Sequence, residues 1–110
     1  MLTTMVYNVC MIEIKQTAAF LDWLKRLDKP TQTRVSARVR RLAFGLTGGD
    51  ARPIGNGASE LRIDFGPGYR VYFGQHGQTL VIVLGGGDKS TQSRDIKNAL
   101  ALWAELKESP

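Results

Sequence analysis

Glu60-Leu61-Arg62-Ile63-Asp64-Phe65-Gly66-Pro67-Gly68-Tyr69-Arg70-Val71-Tyr72-Phe73 is the stretch of this chain whose pattern decides its fold class. Leu61, Ile63 and Phe65 alternate with Glu60, Arg62 and Asp64; Tyr69, Val71 and Phe73 alternate with Arg70 and Tyr72. A period of two places each set on one face of a strand. Between them, Gly66-Pro67-Gly68 is turn chemistry, since glycine reaches positive φ and proline pre-sets a turn residue. The stretch therefore reads as two antiparallel strands, each with one face buried.

Downstream, Gln75-His76-Gly77-Gln78 makes the next turn, and the largely apolar run Thr79 to Leu84 reads as an interior strand covered on both sides. The triple glycine Gly85-Gly86-Gly87 is expected to be a turn feeding a final helix over about Thr91–Lys107, with Ser90 or Thr91 as N-cap. It is not a nucleotide-binding P-loop, because Asp88 separates Gly87 from Lys89 and no parallel-sheet context surrounds it. Ile96, Ala99, Leu100, Trp103 and Leu106 mark that helix's core side.

Upstream, Met11-Ile12-Glu13-Ile14-Lys15 alternates as a first strand. Thr17 caps a helix over Ala18–Leu27, with Phe20, Trp23, Leu24 and Leu27 in one stripe. Asp28-Lys29-Pro30 starts a second helix, whose buried stripe is Val35, Val39, Leu42 and Leu46 and which Gly48-Gly49 ends. The order is β-α-α-β-β-β-α: an α+β domain with an antiparallel sheet, an N-terminal helical hairpin and a C-terminal helix.

The 110 residues make one domain, 1–110, with 43% hydrophobic content, enough for one modest core. The first ten residues either are loosely ordered or lengthen the first strand. A net charge of +5 favours an anionic partner. One cysteine, Cys10, forbids an internal disulfide and fits a cytoplasmic setting. No run approaches the roughly 18 to 20 apolar residues of a membrane span, and the N-terminus lacks the pattern of a signal peptide. A single histidine, His76, reads as a surface turn residue; one His and one Cys far apart offer no metal site, and no cofactor is expected.

Strand alternation gathers Arg62, Asp64, Arg70 and Tyr72 on one sheet face, and Lys89 follows the next strand. Either this is a solvated face, with an Arg62–Asp64 or Arg70–Glu60 ion pair, or its cations neutralise RNA phosphates while the Tyr72 ring stacks a base. On the second helix Arg34, Arg38 and Arg41 form a basic ridge. It reads either as a solvated helix face or as a contact for ribosomal RNA or an acidic protein segment.

The segment from Glu60 to Phe73 resembles the central meander of the RelE/ParE toxin superfamily, in its HigB-like, phage-derived branch of "addiction module killer proteins". The run Leu84-Gly-Gly-Gly-Asp-Lys-Ser-Thr-Gln-Ser-Arg-Asp-Ile96 and the Thr17–Leu27 helix resemble it too, so the similarity spans about Ile12 to Leu106. The resemblance implies a toxin of a toxin–antitoxin pair, partnered by a helix-turn-helix antitoxin and acting on mRNA at the ribosome. It implies a metal-independent endoribonuclease in which a ribose 2′-OH attacks its own 3′-phosphate, with Arg70, Arg62 and Lys89 in the basic positions. Many relatives carry a Tyr or His near the C-terminal end as acid–base group; here stand Asp95, Asn98 and Trp103, leaving Tyr72 or Asp88 as substitutes. Two alternatives remain open: a toxin of the same fold that inhibits DNA gyrase, and an inactive basic binding module.

Overall fold

The computed structural model describes residues 12–77 and 79–108. Its elements are β1 (Glu13–Gln16), α1 (Ala18–Lys25), α2 (Lys29–Arg41), β2 (Ala51–Gly55), β3 (Ala58–Ile63), β4 (Tyr69–His76), β5 (Leu80–Gly87) and α3 (Gln92–Glu108). Short 3-10 turns at Leu42–Phe44 and Lys89–Thr91 follow α2 and precede α3. The expectation for residues 1–10 lies outside the described residues.

The α+β class holds, with two differences in the sheet. Its order is β1-β5-β4-β3-β2, and β1 runs parallel to β5, with Glu13 beside Leu80 and Gln16 beside Val83. The sheet is therefore mixed rather than antiparallel. The crossover from β1 spans the helical hairpin and the whole meander, as a parallel pair requires a long connection. The second difference is β2, which the sequence does not announce because Pro53 and Gly55 interrupt it. Proline is tolerated there because β2 is an edge strand with a register irregularity between Pro53 and Gly55.

Both faces of the sheet are covered. Phe20, Val35, Val39 and Leu42 of the hairpin side pack on Leu61, Ile63, Val71, Phe73, Val81 and Val83. On the opposite face, Ala99 and Trp103 of α3 pack on Ala58, Tyr72 and Leu84. The polar face expected of the meander is thus a second core. Tyr72 is 0%, Glu60 1% and Arg70 8% exposed: Tyr72 packs in the α3 core, Gln92 of α3 bonds to Glu60, and Arg70 lies against Glu60.

Local chemistry fixes the helices. The Thr17 hydroxyl accepts from Phe20 N–H at 3.2 Å and donates to Val83 C=O at 2.9 Å, tying the start of α1 to β5. Asp28 accepts from Thr31 N–H at 3.0 Å, and Pro30 sits in the first turn of α2. The exit from α2 comes earlier than expected: Gly45 adopts a left-handed φ of 73°. Leu46 consequently falls outside the buried stripe and is 57% exposed.

The triple glycine is not a turn. Gly85–Gly87 complete β5, after Leu84 bulges out between the Tyr72–Gly85 and Phe73–Val83 pairs. A β-carbon on Gly86 would collide with the Trp23 ring, and one on Gly87 with the Asp95 carboxylate. Glycine is required there for close approach, a need that alternation cannot reveal.

Candidate functional site

Helix α3 covers only part of its sheet face. It starts at Gln92, whose side-chain N–H donates to Glu60 Oε2 at 2.8 Å, and runs toward the β2–β3 turn, where Trp103 Nε1 donates to Asn56 C=O at 2.6 Å. The end of the sheet beyond Glu60 is left open. There Arg62 and Arg70 are direct cross-strand partners, and Arg70 also faces Gly87 of β5. Like charges placed directly opposite each other destabilise a sheet. An anion between them would reverse that effect.

A cleft of about 330 Å³ opens at this end, and Asp50, Arg62, Asp64, Tyr69, Arg70 and Lys89 line it together with Ile63 and Gly68. Arg70 is mostly buried but its outer edge belongs to the cleft. Nη1 donates to Gly68 C=O at 2.7 Å, while Nε lies 3.6 Å from Glu60 Oε2 without a hydrogen bond. Of the two ion pairs that alternation allows, Arg70–Glu60 forms. Gly68, at φ 81°, is where the chain needs both a left-handed backbone and room. A β-carbon there would stand 3.2 Å from Arg70 Nη1 and 3.7 Å from Lys89 Cβ, so both residues flank this glycine.

Lys89 is held by the turn that contains it. Asp88 is the N-cap of this 3-10 turn: it accepts from Ser90 N–H at 2.8 Å, and Thr91 closes the capping box. The Ser90 hydrogen bonds keep the Asp88 carboxyl below its ordinary pKa. Among the described residues neither Arg62 nor Lys89 has an ion-pair partner, and both are exposed.

Tyr72 does not join this group. Its ring is buried in the α3 core, so it has no face to offer a base. The hydroxyl has no hydrogen-bond partner; burial, then the charges of Glu60 and Asp95, push its pKa upward. Asp88 is committed to capping and lies outside the cleft lining. Asp95 accepts from the Thr91 hydroxyl beneath the start of α3, and Trp103 belongs to the core. His76, at the far end of β4, packs against Trp103 with ring centroids 4.8 Å apart.

Sequence reasoning missed Tyr69 and Asp50 as cleft residues, and it placed Asp64 on the face of Arg62 and Arg70 without a role in the site. Alternation assigns Tyr69 inward, yet as the first residue of β4 it is only half-buried. It stacks on Phe65 at 6.4 Å and meets Trp23 edge-on at 6.2 Å.

The basic ridge of α2 divides. Arg38 Nη2 pairs with Asp50 at 3.0 Å and donates to Thr47 C=O at 3.1 Å, so its charge is used within the fold. Arg34 lies over the Phe65 ring at 4.2 Å, and Arg41 is exposed. Both flank a second hollow, of about 280 Å³, beside the first.

This arrangement of sheet, hairpin and covering helix occurs in solved structures. A chain of the toxin–antitoxin complex RelBE2 of Mycobacterium tuberculosis matches with a TM-score of 0.59 at 16% identity, covering 72% of this chain and 99% of that one. A double-mutant form of the E. coli toxin RelE in the free state matches with a TM-score of 0.64 at 10% identity, covering 83% and 96%. The fold is therefore that of the RelE-like toxins. Residues 22–103 match the family described as phage-derived Gp49-like proteins. A protein of Haemophilus influenzae strain Rd is 48% identical over 96 residues, 86% of this chain and 96% of its own length. The chain belongs to the Gp49-like phage-derived family.

Proposed function

We propose that this chain is the toxin of a toxin–antitoxin pair and cleaves mRNA at the ribosome, in the manner of a metal-independent endoribonuclease. The observation that carries this reading is the meeting of Arg62, Arg70 and Lys89 on one cleft, with two of the three charges lacking an ion-pair partner among the described residues.

A phosphodiester seated between these cations has its charge neutralised on the side where a phosphorane develops charge. The ribose 2′-oxygen bonds to phosphorus and the bond to the 5′-oxygen breaks, giving a 2′,3′-cyclic phosphate and a 5′-OH. The 2′-OH proton leaves as the 5′-oxygen gains one from solvent. Asp64 supplies the carboxylate on the cleft wall that is not ion-paired among the described residues, and is the acceptor we assign to the first proton. Arg70 acts where charge increases, and losing such a preorganised donor lowers rates on the order of 10²–10³-fold. Holding the 2′-oxygen in line with the leaving oxygen contributes further.

An antitoxin partner is supported by the RelBE2 neighbour, which is a toxin–antitoxin complex. A helix-turn-helix antitoxin with an acidic face would complement the exposed Arg34 and Arg41, since opposite potentials speed encounter and set orientation. The site of action is the cytoplasm, where translation occurs; among the described residues no helix is long and apolar enough to cross a membrane.

The test is expression of the chain and of its Arg70→Ala variant, with mRNA 5′ ends mapped and gyrase supercoiling measured in parallel. New 5′ ends that vanish in a folded Arg70→Ala protein support cleavage. Toxicity without new 5′ ends, with supercoiling lost, replaces this reading with gyrase inhibition. Neither effect from the wild type leaves a binding module.

A further inference from the structure

The second hollow and the cationic cleft share Ile63 and Asp64 as wall residues, so they adjoin along a common boundary at the end of β3. A column of planar groups runs along it. The Arg34 guanidinium lies over Phe65, Phe65 stacks on Tyr69, and Tyr69 lines the first cleft. Arg34 is exposed and has no ion-pair partner among the described residues. Its guanidinium carbon lies 4.2 Å from the Phe65 ring centroid, and because the residue is exposed the group stays open to a ligand as well. A guanidinium plane is a stacking surface for an unpaired base, which a lysine ammonium is not. Arg41 lies two helical turns further along α2, on the same hollow.

We infer that this hollow is a nucleotide subsite: Arg34 carries an unpaired base of the bound RNA strand on its outer face, and Arg41 takes a backbone phosphate. The inference rests on the RNA reading of the adjacent cleft and extends it by one nucleotide. An acidic peptide is the less favoured occupant, because it needs charge alone and makes no use of a planar column continuous with the cleft. Stacking is sequence-tolerant, so the subsite adds affinity and register rather than base choice.

The experiment measures binding of a short single-stranded 2′-fluoro RNA, which cannot undergo 2′-OH attack, to the wild-type chain, Arg34→Lys and Arg34→Ala. Arg34→Lys keeps the charge, so the salt dependence should stay as in the wild type while affinity falls several-fold. Arg34→Ala should bind about tenfold more weakly and flatten the salt dependence by about one counterion. A strand carrying one abasic site, moved position by position, should at one position erase the affinity difference between the wild type and Arg34→Lys. Equal affinity of the wild type and Arg34→Lys for the intact strand overturns the stacking role. Unchanged RNA binding with lost binding of a polyglutamate peptide in Arg34→Ala makes the hollow a protein contact and also overturns it. A wild type that binds RNA in an Arg34-dependent way but yields no new mRNA 5′ ends leaves the subsite standing while the cleavage reading falls.

Discussion

Glu60 and Arg70 form a buried pair across β3 and β4: Oε2 lies 3.6 Å from Nε, with side chains 1% and 10% exposed. Glu60 does more than offset a charge. Gln92 holds the same carboxylate oxygen from α3, so the guanidinium that reaches the cleft is anchored from behind. Removing Glu60 by Glu60→Ala leaves a buried cation uncompensated and should cost about 3–5 kcal/mol in chemical denaturation. Glu60→Gln should cost less, and its effect should appear chiefly as slower cleavage with RNA affinity retained. In the Glu60→Ala, Arg70→Ala double variant most of the stability should return, and an additive loss would show that the two residues do not act as a pair.

Tyr72→Phe should be as stable as the wild type or slightly more so, since it removes a buried hydroxyl that makes no hydrogen bond. Toxicity should be unchanged, in contrast to Arg70→Ala. The Tyr72 pKa is raised by burial, so the folded state keeps the proton longer than the unfolded state does. Its contribution is therefore complete below the unfolded tyrosine value of about 10 and declines above it, by up to about 1.4 kcal/mol per pH unit. The difference between wild type and Tyr72→Phe in alkaline denaturation isolates that slope. Parallel curves would refute the shift.

Two neighbouring glycines separate packing from backbone effects. Gly86→Ala drives a methyl group into Trp23 and should destabilise by about 1–3 kcal/mol, read as a lowered melting temperature. Gly85 has nothing within 4 Å of the position its β-carbon would take. Gly85→Ala should therefore be neutral or stabilising by about 0.4–1 kcal/mol, through the unfolded chain's lost freedom.

Arg62→Ala and Lys89→Ala should each weaken single-stranded RNA binding and lower the magnitude of its salt slope by about 0.7. Neither should reduce stability. For Arg62→Ala a small gain, about 0.2–1 kcal/mol, is expected from relieving the cross-strand charge opposite Arg70. Titrations over a range of salt concentrations check both, and an unchanged slope in either variant removes that residue from the phosphate site.

How far the sequence carried depended on the kind of signal. Period-two patterning in residues 60–73 and helical stripes at Phe20–Leu27 and Val35–Leu42 were legible because burial writes them directly into polarity. The same logic misread the Arg70–Tyr72 face as solvated. Alternation says which residues share a face but not whether a later helix covers it, and the buried Glu60–Arg70 pair looks polar in sequence either way. β2 was hidden by Pro53, which breaks the strand signal yet fits an edge. For the site, Arg62, Arg70 and Lys89 followed from register and turn position. Tyr69 and Asp50 did not, because they reach the cleft through a strand end and the loop after α2, where periodicity carries no information.

The parallel pairing of β1 with β5 has a consequence for how the molecule comes into being. Among the described residues, Glu13–Gln16 find their sheet partner only in Leu80–Val83, so the first strand emerges from synthesis long before the segment that receives it. Contacts this distant in the chain bear a large loop-closure entropy and form slowly. The edge strand must wait, and the sheet reaches its full width only after Leu80–Val83 have been made.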